Sequence, residues 1–301
     1  MSMIKSPITG GQAIALERRI PSRYIIESYL ESYGIDVTAL FRKKEEVEVY
    51  RCEESGFRFF GPDHLAGDSD FYARLQEFPW YYMDWKWEHE VTEKSLPKEC
   101  KLLEIGCAEG AFLQRLGEGV STVGLELNTK AAKGGQAKGL DIRTETIQDH
   151  ADANEGMYDV VCSFQVMEHV TDVRGIVSAS IKALKTGGRL LISVPNNDSF
   201  IKHSPNSILN MPPHHMCLWD ESSLRGLENY FDMKFSHFER EPLQAYHYPV
   251  VTNNWIEKNI GKGLAGKGVK KLVKWTRAYK AVGLFKDRIV GHSIIAHYIK
   301  R

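Results

Sequence analysis

The stretch at residues 101–116, KLLEIGCAEGAFLQRL, constrains this chain more than any other. Leu102, Leu103 and Ile105 read as a buried strand that runs into a turn of small residues and then a helix. Gly106, Ala108 and Gly110 keep bulk out of that turn, so a ligand can lie against the backbone near the N–H groups at the helix start. Glu104 sits two residues before Gly106, and a carboxylate there suits a cationic ligand and poorly suits a pyrophosphate. A dinucleotide fingerprint would need glycine at 106, 108 and 111, where the chain has Gly106, Ala108 and Ala111. The spacing fits better an acidic residue followed by alternate small positions.

Around this stretch the chain alternates strand and helix, which implies a parallel sheet. Residues 122–127, TVGLEL, read as a second buried strand ending near Glu126, twenty residues past Gly106. A carboxylate so placed can accept both ribose hydroxyls of an adenosine, a feature that NAD enzymes share. A helix is expected at 129–138, a third strand at 141–147, and a turn at Gln148 and Asp149 that would edge an adenine ring. The fourth strand, YDVVCSFQ at 158–165, leads into Val166-Met167-Glu168-His169-Val170. A crossover helix at 172–184, a fifth strand at 189–194, a helix at 222–229 capped by Asp220, and strands at 233–238 and 292–299 complete the pattern.

Taken together, LLEIGCAEG, VGLEL, YDVVCSFQVMEHV, LKTGGRLLISVPN and the closing GHSIIAHYIK resemble the class I S-adenosylmethionine (SAM)-dependent methyltransferases, over about residues 100–240 and the last dozen. The resemblance implies an α/β fold. Its core would be a doubly wound, seven-stranded Rossmann-like sheet, with the last two strands antiparallel to the rest or forming a reversed hairpin. A small N-terminal domain and a basic helical insertion before the last strand would complete it. It implies SAM as cofactor, lined by Glu104, Gly106, Cys107, Ala108 and Gly110, with Glu126 on the ribose beside Leu127 and Asn128. Ile147 and Gln148 would meet the adenine, and Phe164 and Gln165 the methionine portion. Ala108 in place of glycine departs from the pattern by one methyl group.

The first 70 residues are the least regular. Segments near YRCEESGFRFFGP, AGDSDFY and WYYMDWKWEH resemble an N-terminal segment of methyltransferases from bacterial surface-polysaccharide and secondary-metabolite gene sets, a true or decayed zinc ribbon. Of the knuckle positions at Ser6, Thr9, Cys52 and Ser55, only Cys52 is a thiol, so no tetrahedral zinc site is expected and no metal is assigned. A helix is expected at 22–33, with Ser22 as N-cap and Gly34 as stop, and short strands at 45–50 and 56–60. Residues 71–95 are dense in aromatics. They read as core that fastens the N-terminal piece, as a lid in which Tyr82 and Trp85 face the sulfonium, or as both. The expected domains are thus 1–70, a linker or lid at 71–100, and 101–301 with an insertion at 244–290.

Ligands of such sheets sit at the carboxyl ends of the strands. Three polar groups fall there: Glu168-His169, Asn196-Asn197-Asp198, and the histidines of NMPPHHMCLW. Methyl transfer to a hydroxyl or an acidic carbon needs a base, and histidine is the default. His215 is the first candidate, then His214 and His169. His169 also reads as a hydrogen-bonded structural histidine, the Pro-Pro-His-His run as a rigid pocket wall, and Trp219 as core.

Charge is segregated. The chain carries 39 basic and 39 acidic residues, yet residues 252–290 hold ten Lys/Arg against Glu257 and Asp287. A solvated basic face, an anionic substrate such as a nucleotide-sugar or lipid phosphate, and an anionic membrane surface all fit. Nucleic acid fits less well, because no RNA-binding motif accompanies the charge. Five scattered cysteines without a C-x-x-C, no apolar leader and no membrane-spanning run place the expected setting in the cytoplasm. The expected activity is SAM-dependent methyl transfer to a small or carrier-linked acceptor such as a sugar, nucleotide-sugar or secondary metabolite. The alternatives are a non-catalytic partner or scaffold with the same fold, and a nucleotide-dependent oxidoreductase. Neither the acceptor atom nor the oligomeric state is encoded legibly.

Overall fold

The computed structural model describes residues 4–42, 44–78, 80, 81, 83, 85–261 and 263–301. Strand β1 (Ile14–Pro21) leads directly into helix α1 (Ser22–Tyr33). Gly34 closes α1 in the left-handed conformation, as expected. Ser22 is not the cap. Pro21 holds the N-cap position, and the Ser22 hydroxyl is buried with no hydrogen-bond partner among the described residues. A single turn, α2 (Thr38–Phe41), precedes β2 (Glu46–Cys52) and β3 (Arg58–Gly61). The aromatic stretch folds as two short helices, α3 (Ser69–Leu75) and α4 (Trp87–Ser95).

The main sheet begins with β4 (Cys100–Ile105), and its core strands are buried on both faces, as crossover helices require. After β4 only a 3-10 turn forms, Leu113–Arg115, so the expected helix is absent. The chain turns at Gly110 in the left-handed region, which breaks helical backbone, and is extended again at Leu116. Then follow β5 (Val120–Leu125), α5 (Thr129–Ala137), β6 (Ile142–Arg143), α6 (Ile147–Ala153), β7 (Tyr158–Phe164), α7 (Val173–Ala183) and β8 (Leu184–Pro195). The expected third strand is thus only two residues long. Ile147 and Gln148 open a helix because the Thr146 side chain caps the N–H of Asp149.

Strand β9 (Cys217–Leu218) pairs with β3 and completes a four-stranded sheet ordered β1-β2-β3-β9. The N-terminal strands therefore share hydrogen bonds with the loop that carries His214 and His215. Phe57 and Trp219 pack there with ring centroids 4.4 Å apart, and Trp219 is core as expected. Helix α8 (Glu221–Gly226) is capped by Asp220, then come β10 (Met233–Pro242), α9 (Tyr248–Asn259), α10 (Leu264–Thr276), a 3-10 segment Ala278–Arg288, and β11 (Val290–Lys300).

The large sheet has seven strands in the order β10-β11-β8-β7-β4-β5-β6. The pairs among β4 to β8 are parallel, and β11 is antiparallel to both β8 and β10. Only the last strand is reversed, so β10 runs with the rest, which corrects one of the two expected arrangements and keeps the hairpin. The strand order reverses at β4 and β7, and the crevice at their carboxyl ends is where a ligand binds in such a sheet.

Candidate active site

Glu104 lies at the switch point, on the penultimate residue of β4, and is buried. Its Oε2 has no hydrogen-bond partner among the described residues. Burial pushes its carboxyl up to about 8, the Glu126 charge adds to the rise, and Lys86 opposes it. A carboxyl held this way is an unfilled receptor for a cation or a donor.

The turn above it is held by Glu126. The Ala108 N–H donates to Glu126 Oε2 at 2.9 Å, and the Asn128 N–H donates to Oε1 at 2.7 Å. Each oxygen keeps a lone pair for a hydroxyl. Ala108 adopts φ +49, a left-handed conformation strained for a residue with a Cβ, so the substitution is less mild than the sequence suggests. Gly106 and Gly110 are left-handed too, and a Cβ on either would strike Val166 or Leu140. At these two positions glycine is demanded by the protein's own packing as much as by a ligand.

The other sequence candidates divide. Cys107 presents only its backbone, because its buried Sγ packs against β5 where a Cβ on Gly124 would stand 2.4 Å away. Phe164 is also turned inward, edge-on to His89 and Phe112 at 5.1 Å, so the ring is core where the sequence suggested ligand contact. Gln165 has φ +57 and its amide donates to Ser193 and Ser293, both at 3.3 Å. Asn128 caps α5 and donates to Gln76 at 3.0 Å. Leu127 is exposed, Ile147 buried, and Gln148 donates to Asp172. Trp85 carries the Arg115 guanidinium 3.9 Å over its ring. Tyr82 lies outside the described residues.

The structure gathers all three candidate histidines beside one another. Ring centroids are 4.6 Å apart for His169–His214, 4.5 Å for His214–His215 and 5.0 Å for His169–His215. The loop reaches His169 because the Met216 and Cys217 N–H groups both donate to the Glu168 carbonyl, at 2.7 and 3.0 Å. Carbonyl acceptors set the tautomers. His169 Nδ1 donates to His214 O at 2.6 Å, His214 Nδ1 to Leu209 O at 3.0 Å, and His215 Nδ1 to Asn210 Oδ1 at 3.0 Å. Asn210 is itself fixed by donating to Asn197 at 2.8 Å.

Burial lowers the basicity of all three rings, His169 to about 4 and the other two well below the usual range. Histidine in the sequence suggests a base near neutrality, whereas burial disfavours the charged form of all three rings. Glu168 is buried with Oε2 unpartnered among the described residues, and burial pushes it up to about 8. Its Oε1 stands 3.8 Å from His169 Nε2. One ring nitrogen from each histidine lies within 4.8 Å of the others, so among the described residues this cluster is the donor set a divalent cation could draw together. Three groups were missed by sequence reading. Tyr72 donates to His214 O at 3.2 Å, Tyr81 packs on His214, and Lys86 is the cation that acts on Glu104 and Glu168. Only their place in an aromatic-rich stretch before β4 hinted at them.

The sequence model of the family described as "Methyltransferase domain" matches residues 80–233, just over half of the chain. The chain belongs to this methyltransferase-domain family. Relatives include the ubiquinone biosynthesis O-methyltransferase of Pectobacterium atrosepticum, 32% identical over 106 residues that cover 33% of this chain and 44% of that protein. The enzyme of the same name from Vibrio atlanticus is 31% identical over 116 residues, 36% of this chain and 48% of that protein. The match thus spans less than half the length of either relative. Among solved structures, the PH0226 protein from Pyrococcus horikoshii shares the fold at TM-score 0.50 and 11% identity, covering 78% of this chain and all of that one. The methyltransferase-domain match spans the positions of Glu104, Glu126 and the three clustered histidines.

Proposed function

We infer that this protein transfers a methyl group from SAM to a small or carrier-linked acceptor seated beside His169, His214 and His215. One observation carries the reading. Glu104 is a buried carboxyl with an oxygen unpartnered among the described residues, at the switch point of the sheet, beside a left-handed small-residue turn tied to Glu126. A cationic amino-acid end satisfies Glu104, and the remaining lone pairs of Glu126 suit ribose hydroxyls. A pyrophosphate would meet the Glu126 carboxylate and could use Glu104 only in its protonated form, which disfavours nucleotide-dependent oxidation.

When bound, SAM supplies the activated methyl group. The chain's own residues position the acceptor and receive its proton. The names of the relatives point to oxygen as the acceptor atom. His215 is the proposed proton acceptor, with its Nδ1–H held on Asn210 and Nε2 as the other ring nitrogen. Burial keeps the ring a weak base, which suffices for a hydroxyl that turns strongly acidic as its oxygen takes the methyl group. Positioning between rigid walls does much of the remaining work.

The N-terminal segment is best read as a degenerate zinc ribbon. Thr9 Oγ1 lies 3.8 Å from Cys52 Sγ. Burial pushes the Cys52 thiol up, but hydrogen bonds from Ser55 and Ser6 outweigh it and bring it below its ordinary value. All four knuckle positions thus meet, with hydroxyls in place of three thiolates. The direct test of the reading is incubation with methyl-labelled SAM and a panel of phenols, sugars and nucleotide-sugars. Label transferred to any acceptor supports it, and a protein that binds no SAM and transfers no label refutes it.

A further inference from the structure

The insertion ahead of β11 presents an unusual surface. About half of the exposed large hydrophobic side chains of the described residues fall between Tyr246 and Val290. On α10, Leu264 is 89% exposed, Leu272 55% and Trp275 81%. Positions 264, 268, 272 and 275 share one face of a helix with 3.6 residues per turn. The inward face is a different one, carried by the half-buried Val269 and Val273. Lys267, Lys271 and Lys274 flank the outward apolar stripe and are exposed. Beyond the helix, the 3-10 segment adds exposed Leu284 and Phe285 beside Lys286 and Arg288.

Water does not reward this arrangement. A basic helix that served solubility alone would keep Trp and Leu off its outer face. Ten cations against two anions over residues 252–290 give the segment a balance of +8, and the rest of the chain a balance of −8. One side of the molecule is therefore attracted to an anionic surface and the remainder repelled from it. A nucleic acid would neutralise the lysines but offer nothing to Leu264, Leu272 and Leu284. A bilayer with anionic headgroups offers both the charge and an apolar layer for the stripe.

We propose that the outward face of α10 and the segment after it dock this protein on an anionic lipid bilayer, with Leu264, Leu272, Trp275, Leu284 and Phe285 entering the interface. The insertion is well placed for this. Its inner side packs Tyr248, Val251, Val282 and Ile289 against Phe200, Ile201 and Leu243. Asn254 accepts from Ser204 at 2.7 Å and so ties α9 to the loop that follows β8. That loop leads into the histidine cluster. Docking would set the acceptor side of the crevice near the membrane, and this last point rests on the methyl-transfer reading, whereas the docking does not.

The test uses the full chain and sucrose-loaded vesicles of phosphatidylcholine alone or with one-quarter phosphatidylglycerol. The protein should sediment with the anionic vesicles at least tenfold more tightly than with the neutral ones, and half-molar salt should release most of it. The double variant L272S/W275S and the charge reversal K271E/K274E should each weaken binding at least fivefold. Melting temperatures should not change, since all four side chains are exposed. In wild type but not W275F, brominated lipid should quench part of the tryptophan emission. Absence of binding to anionic vesicles would overturn the proposal, as would binding that ignores both variants. Salt-sensitive binding to a DNA or RNA duplex with none to vesicles would overturn it in favour of a nucleic-acid surface. Loss of vesicle binding with SAM binding intact would leave the methyl-transfer reading untouched.

Discussion

The backbone N–H of Ala108 donates to Glu126 Oε2 at 2.9 Å, and this bond holds an alanine in a conformation that favours glycine. The carboxylate that would bind a ribose is thus the same group that shapes the turn. It cannot be removed without loosening both.

The strain at Ala108 is measurable. A left-handed alanine costs about 1–2 kcal/mol, and a glycine gives back part of that through unfolded-chain entropy. Ala108→Gly should therefore raise stability by up to about 1 kcal/mol in urea unfolding and keep SAM affinity within a few-fold. A loss of stability would mean that the turn is not strained.

Glu104 gives the pH dependence. Its folded-state carboxyl titrates at about 8, above the ordinary value of 4.5, so the fold holds a proton that the unfolded chain has released. Its contribution is complete below the ordinary value and is lost as pH rises to about 8, so stability should fall across that window. Glu104→Gln should remove that fall, visible as a higher melting temperature at pH 8 and little change at pH 4.5. A cation binds the ionised form, so SAM affinity should rise from pH 6 to 8 with release of a proton, read by calorimetry in buffers of different ionisation enthalpy.

His215→Ala should lower turnover of a true acceptor by roughly 10²–10⁴-fold. SAM affinity should hardly change, because His215 stands on the loop that Asn210 and Glu168 anchor, a different segment from those that carry Glu104 and Glu126. Normal turnover in this variant would make His215 a wall of the pocket, and the same substitution at His169 and His214 would show whether positioning alone suffices.

The N-terminal knuckle should not depend on metal. Cys52 is the one thiol among Ser6, Thr9, Cys52 and Ser55, and hydrogen bonds already satisfy it. Metal content measured by plasma mass spectrometry should be the same in wild type and Cys52→Ser. A stoichiometric zinc lost with Cys52 would contradict this.

Much of this was legible in the sequence. The buried runs that end at Glu104 and Glu126 need no tertiary knowledge, because a fully buried parallel strand is apolar on both faces. Helix α1 and its stop at Gly34 were legible for the same kind of local reason. What failed was local balance. Strand β1 escaped because it is an edge strand whose residues are mostly not buried, so no alternation marks it. The Thr146 cap, which turns Ile147 into the start of a helix, was present in the sequence but outweighed by the apolar run before it. The inward turn of Phe164 and the placing of Tyr72 and Lys86 depend on packing between segments far apart in the chain. The histidines could be named but not joined, since what brings His214 to His169 is long-range: the Glu168 carbonyl, the strand pairing of Cys217 with Phe59 and the bond from His169 to the His214 carbonyl.

The central claim is that Glu104 and Glu126 bracket a site for SAM, and titration calorimetry tests it most directly. Wild type should bind SAM and not NAD. Glu126→Ala should weaken SAM by about 1–3 kcal/mol, the loss of charge-assisted hydrogen bonds, and Glu104→Gln should weaken it at least as much. Binding of NAD without SAM, or SAM binding indifferent to both substitutions, would contradict the account.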